Sequence, residues 1–159
     1  MALLKKIIKN SFVFFFLTAC QHSSYEFVQM RSVEDGKWSR SDTTTFIYKP
    51  SQSTSKNFYI YLENTGAYPY SNIYIIAKLD NGKSIEVDTL EYEMADGHGQ
   101  WLGRKVAGHY ENLLIYKWQY PVHDSIEYHI HLEPATRSIK NTEGDEYLPG
   151  ITTIGLIIE

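Results

Sequence analysis

Along most of this chain apolar residues recur at every second position, the period of a strand with one buried face. In "NFYIYLEN", Phe58, Ile60 and Leu62 share one face, and Tyr59 and Tyr61 share the other. In "NIYIIAKL", Ile73, Ile75, Ala77 and Leu79 alternate with Tyr74, Ile76 and Lys78. A turn at Asn81-Gly82 leads into a further strand, since Asn-Gly favours the backbone of a two-residue hairpin. That strand carries Ile85 and Val87 at odd positions but Leu90, Tyr92 and Met94 at even ones, which predicts a face switch near Asp88-Thr89, by a bulge or a crossing between sheets. "SIEYHIHLE" gives the cleanest alternation, with Ile126, Tyr128, Ile130 and Leu132 inward and Glu127, His129, His131 and Glu133 outward. Pro149-Gly150 reads as a turn, and "ITTIGLIIE" as a closing strand. Helical periodicity is confined to windows near 93–100 and 135–140, each sufficient for a turn or two. The pattern predicts an all-β protein: a single antiparallel β-sandwich, Ig-like or jelly-roll-like, of about seven to nine strands from Thr43 to Glu159. Thirteen tyrosines suit strands with a half-wet face.

The N-terminus follows a different pattern. Lys5, Lys6 and Lys9 precede a short apolar stretch, Ser11 to Leu17, and then Thr18 and Ala19. A basic start, a short apolar zone and small residues describe a secretory signal peptide. The apolar zone is too short to cross a hydrocarbon core of about 30 Å as a helix. The ending "LTAC" is that of a bacterial lipobox, in which signal peptidase II cuts before the cysteine. Cys20, the single cysteine, would then carry a diacylglycerol thioether and an amide-linked acyl chain such as palmitate. The alternative is an exported soluble protein with an incidental thiol, but no second cysteine exists to pair with it. The reading is therefore a signal peptide at 1–19, a lipidated N-terminus and tether at 20–37, and one domain at 38–159. A tether of that length reaches at most about 50 Å.

Removing the leader takes away three of the fifteen basic residues and none of the nineteen acidic ones, leaving a net charge of −7. This opposes binding to nucleic acid and electrostatic docking on anionic lipid. The motifs of nucleophile elbows, phosphate loops, zinc proteases and paired thiols are absent from the sequence, and an acylated Cys20 is no nucleophile. Neither an enzymatic activity nor a cofactor is expected beyond the covalent lipid on Cys20. Three weaker constellations remain. His129 and His131, with Glu127 or Glu133, have a spacing that suits zinc, although a solvated strand face yields the same pattern. Asp88, Glu91, Glu93 and Asp96 offer oxygen ligands for calcium, without the spacing of an EF-hand. Trp38, Trp101 and Trp118 would form a sugar-stacking platform if exposed in a row, and core if dispersed.

The segments "WSRSDTTTF", "FYIYLENTGAYPYSNIYIIAKL", "DTLEYEMADGHGQWLG" and "LPGITTIGLIIE" resemble the GldH family of gliding motility lipoproteins of Bacteroidota, from Trp38 to Glu159. The most specific runs are "YPYSN", "DTLEYEMA" and "LPG" before an apolar strand, and the family also begins at a lipobox cysteine. The resemblance implies a cell-envelope lipoprotein required for gliding, a structural or assembly component linked to the gliding and type IX secretion machinery. Its implied partners are the bilayer, through Cys20, and other envelope proteins of that machinery. A lipid-anchored glycan-binding module is the alternative. Gln21 after the cysteine, and only Glu26 among the next acidic positions, leave the periplasm-facing leaflet of the outer membrane as the expected location.

Overall fold

The computed structural model describes residues 25–136 and 145–159; Cys20, the leader before it and most of the 135–140 window lie outside them. The described residues form β1 (Phe27–Ser32), β2 (Lys37–Ser39), β3 (Thr44–Tyr48), β4 (Thr54–Thr65), β5 (Asn72–Asp80), β6 (Ile85–Glu93), β7 (Arg104–Val106), β8 (His109–Val122), β9 (Tyr128–Pro134), β10 (Tyr147–Pro149) and β11 (Ile151–Ile158). A single 3-10 turn at Glu34–Gly36 is the only helical element among them. All pairings are antiparallel. One sheet has the order β1-β11-β4-β8-β7, the other β3-β9-β5-β6, and β2 pairs with β10 as a short flap. Eight strands have five or more residues, and the remaining three are three-residue segments.

The sandwich forms because the inner faces of the two sheets are apolar in the predicted phase. Phe58, Ile60 and Leu62 of β4 and Ile154, Leu156 and Ile158 of β11 are fully buried, as are Ile73, Ile75, Ala77 and Leu79 of β5. Ile130 and Leu132 complete the same layer from β9. At one end of the sandwich an aromatic cluster joins the sheets: Tyr48 packs edge-on against Phe27 (5.6 Å between centroids) and Phe58 (5.9 Å), and Tyr120 does so against Phe58 (5.8 Å) and Tyr128 (6.5 Å). Such pairs contribute roughly 0.5–1.5 kcal/mol each beyond area burial. Tyr128 is buried as its strand phase predicts, and Tyr48 and Tyr68 are core residues as well.

The structure departs from three expectations. Residues 27–32, assigned to the tether, are an edge strand in register with β11 from Phe27↔Ile158 to Ser32↔Thr153. Pairing begins one residue earlier still, where the Glu26 N–H donates to the Ile158 carbonyl at 2.8 Å. The weakly alternating "FVQMRS" is thus a strand of the sandwich, held by a partner strand from the far end of the chain. Nor does β6 switch faces. It pairs with β5 without a register break from Asp80↔Ile85 to Asn72↔Glu93. The even positions face inward throughout, so Ile85 and Val87 are exposed while Glu86 and Asp88 turn toward the opposite sheet. The 93–100 window forms no helix: the Asp96 carboxylate accepts the backbone N–H groups of His98 and Gln100, closing a turn before the Ala95↔Trp101 bridge.

Candidate functional site

His129 and His131 do project outward from β9, with ring centroids 6.4 Å apart. Their partners are separate: His129 Nε2 lies 3.0 Å from Glu127, and His131 Nδ1 lies 2.9 Å from the Thr45 hydroxyl. Lys78 stands directly across the ladder from His131 and donates to Glu133 at 2.8 Å. A lysine across from His131, engaged with Glu133, opposes the charge of a dication there. The acidic run is also dispersed. Glu91 accepts from Asn72 and Tyr74 on the outer face, Asp96 closes its turn, and Asp88 faces inward. Among the described residues no group of three or more His, Cys, Asp or Glu is placed to hold a metal ion. The tryptophans form no row. Trp38 is core, Trp101 is half-buried between Tyr68 and Tyr110, and Trp118 is exposed.

The structure brings together a polar cluster that the sequence pattern concealed. Register breaks on either side of Phe58 kink β8, and Gln119 sits at φ 49°, so Tyr116 and Lys117 both turn toward the other sheet. Lys117 Nζ lies 2.7 Å from Asp88 and 3.0 Å from Glu86, and the Tyr120 hydroxyl donates to Glu86 at 2.6 Å. These bonds from Tyr120 and Lys117 hold the Glu86 carboxyl below the usual carboxylate range. Burial pulls the Lys117 amine down, but its two carboxylates outweigh that and raise it. Burial, with Asp88 adding to it, pushes Tyr92 up to about 12, and its hydroxyl donates to the Ile115 carbonyl at 2.7 Å. The cluster ties β6 to β8 across the open edge of the sandwich. The only signal for it in the sequence is that Glu86 and Asp88 keep phase with Leu90 and Tyr92.

A cleft of about 600 Å³ opens at the opposite edge, between the end of β1 and the start of β3, lined by Arg31, Glu34, Trp38, Ser41, Asp42 and Thr44 among others. The Trp38 indole N–H is buried there with no hydrogen-bond partner among the described residues. The sheets also differ on their outer faces. On the four-stranded sheet the His129 and His131 rows mix Thr45, Lys78 and Asp80 with Ile47, Ile85 and Val87. On the five-stranded sheet one row across the ladder reads Val28–Ile157–Tyr59–Ile115, and the next Met30–Gly155–Tyr61–Leu113. The row after these is charged, with Glu63, Glu111 and Arg104, and at the other end Glu159 accepts from the Tyr59 hydroxyl. The apolar run "LLIY" of β8 is the sequence signal for a strand apolar on both faces.

The runs that carry the family resemblance have identifiable work in this fold. "YPYSN" is a corner in which Tyr68 is buried and donates its hydroxyl to the Asn72 carbonyl at 2.9 Å. "LPG" is the β10–β11 turn, where Gly150 has φ +82° and an added Cβ would lie 2.4 Å from the Tyr68 nitrogen. "DTLEYEMA" is the inner edge strand that carries Asp88 to Lys117. The family of GldH lipoproteins matches the chain over residues 25–158, the whole sandwich. The gliding motility lipoprotein GldH of Flavobacterium johnsoniae is 32% identical over 124 residues, covering 77% of each chain. The GldH homolog of Christiangramia forsetii is 32% identical over 126 residues, with the same coverage. This chain belongs to the GldH lipoprotein family.

Proposed function

We propose that this chain is a lipid-anchored envelope protein of gliding motility, acting as a structural or assembly component linked to the gliding and type IX secretion machinery. The observation that carries the reading is the family match over the entire sandwich, with relatives named as gliding motility lipoproteins. The structural work of "YPYSN", "DTLEYEMA" and "LPG" supports the scaffold reading. Among the described residues no helix is long and apolar enough to cross a membrane. Attachment falls to Cys20, cleaved and acylated behind the 1–19 leader, in the periplasm-facing leaflet of the outer membrane. Replacing Cys20 with Ala should leave uncleaved precursor and abolish spreading on agar, and globomycin should reproduce the precursor. Crosslinked pull-down from membranes should then recover envelope proteins of the machinery. Normal spreading with a processed, unlipidated Cys20Ala chain would refute the reading.

A second reading, the ligand-binding module, is favoured by one feature: the cleft built by "WSRSDTTTF", with hydroxyls, Arg31 and the unpartnered Trp38 N–H around it. Calorimetric titration of the protein with envelope glycans, and of an Arg31→Ala variant, separates the two readings.

A further inference from the structure

We propose that the outer face of the five-stranded sheet lies against the lipid bilayer itself, deepening the anchored-lipoprotein reading on which it rests. Five apolar side chains on this side, Val28, Met30, Leu113, Ile115 and Trp118, are between 37% and 61% exposed. Trp118 follows Lys117, whose amine is engaged between the sheets, and its indole is 61% exposed at the kink of β8. With strands about 4.8 Å apart, the two apolar rows from β1 to β8 make a surface about 14 Å across. Contiguous exposed apolar surface on a soluble domain, when it extends to a few hundred Å², marks an interaction site.

The chain outside the structure supplies the occupant. Phe27 begins the edge strand of this sheet and lies seven residues after Cys20. Fully extended, that leash reaches about 23 Å, half the length expected of a tether running to residue 37. It therefore holds this sheet near the membrane at high effective concentration. The polarity of the face matches the attachment point. Apolar rows lie at the end where β1 begins, and the row of Glu63, Glu111 and Arg104 lies beyond them. Trp118 and Tyr59 have the amphipathic rings that settle at the headgroup level. The carboxylates nearest the attachment point are occupied within the protein: Glu159 accepts from Tyr59 and Asn57, and Glu26 pairs with Lys56 at 2.7 Å. A net charge of −7 gives no electrostatic pull toward anionic lipid, so the contact is apolar and insensitive to salt.

The test uses the full chain, purified from membranes with its N-terminus intact and reconstituted into vesicles of phosphatidylcholine and phosphatidylethanolamine. Emission of Trp118 is isolated by subtracting a Trp118→Phe variant, and the vesicles are prepared with plain or acyl-brominated phosphatidylcholine. The expected result is loss of most Trp118 emission in brominated vesicles at low and high salt alike. A Leu113→Glu, Ile115→Glu variant should still float with vesicles and lose the quenching. Equal emission in both vesicle types, in protein that floats, overturns the proposal while leaving the anchor intact. Shielding of Trp118 from acrylamide without bromine quenching also overturns it. That shielding assigns the face to a second copy if it grows with protein density, and to an envelope partner if it appears only in native membranes. Bromine quenching of chains whose intact mass shows no lipid would instead keep the bilayer contact and remove the anchor. Unlipidated chains that do not float remove both.

Discussion

Replacing Lys117 with Met removes the one cation from the cluster between β6 and β8 while keeping the length and packing of the stem. In the native protein its side chain is 18% exposed and lies 2.7 Å from Asp88 and 3.0 Å from Glu86. Removing one partner of a buried ion pair typically costs about 3–5 kcal/mol, because the remaining charge is left without compensation. Here the two carboxylates are 40% and 36% exposed, so water recovers part of that loss, and Tyr120 still donates to Glu86. The expected cost at neutral pH is therefore about 2–3 kcal/mol. The sign with pH follows from Glu86, whose carboxyl the Tyr120 and Lys117 bonds hold below its ordinary value. A lowered carboxyl stabilises the fold above its unfolded value of about 4.3, and that contribution is lost as pH falls through the folded value. As pH falls through the lowered Glu86 value, that carboxylate is neutralised and Lys117 has less charge to compensate, so the penalty for Met should be smaller at low pH. Urea titrations of the native and Lys117→Met proteins at pH 7 and pH 3, followed by far-ultraviolet circular dichroism, measure both quantities. Adding Glu86→Gln and Asp88→Asn to the Met variant should restore most of the loss at pH 7. A penalty under about 0.5 kcal/mol at pH 7, the size of an ordinary surface change, would refute the argument. So would a penalty that is equal at the two pH values.

The face assignment of β9 predicts that Ile130→Ala costs about 2–5 kcal/mol in the same titration, and His129→Ala under about 0.5 kcal/mol; reversed sensitivities would mean that the strand is inside out. Burial raises the Glu26 carboxyl, but bonds from Lys56 and the Ser51 N–H outweigh it and bring it down to about 2. Glu26→Gln should therefore destabilise the protein by about 1–2 kcal/mol at pH 7, after allowing for solvent screening, with the cost declining between about pH 4.5 and 2. At Gly150 an alanine would need a left-handed backbone and would place its Cβ 2.4 Å from the Tyr68 nitrogen, which is main chain and cannot swing aside. Gly150→Ala should lower stability by at least about 2 kcal/mol, measured by thermal unfolding; an unchanged midpoint would contradict the β10–β11 turn.

Period-two alternation makes a strand legible wherever the two faces contrast, and β4, β5 and β9 contrast strongly. The pattern failed at β6, where the polarity is inverted: Ile85 and Val87 face solvent, and Glu86 and Asp88 face inward. What makes that tolerable is an ammonium thirty residues further on, delivered by a kink in β8, and an alternation count carries no term for a distant partner. The same limit hid β1, since "FVQMRS" is a strand only because Ile158, at the other end of the chain, offers its backbone. Nor could composition tell Trp38 in the core from Trp118 in the open, because an indole suits either place until the neighbouring strands are set. Membership of the family was legible early, since two of its runs, "YPYSN" and "LPG", serve a corner and a tight turn whose residue types are locally constrained. The expectation of a lipid on Cys20 likewise comes from the linear sequence alone: a signal peptidase reads an extended segment before the domain has folded, so that chemistry depends on neighbouring residues and not on the sandwich. Which face the sandwich turns to its surroundings is decided by pairing across the sheet, where residues 28, 59, 115 and 157 become one surface.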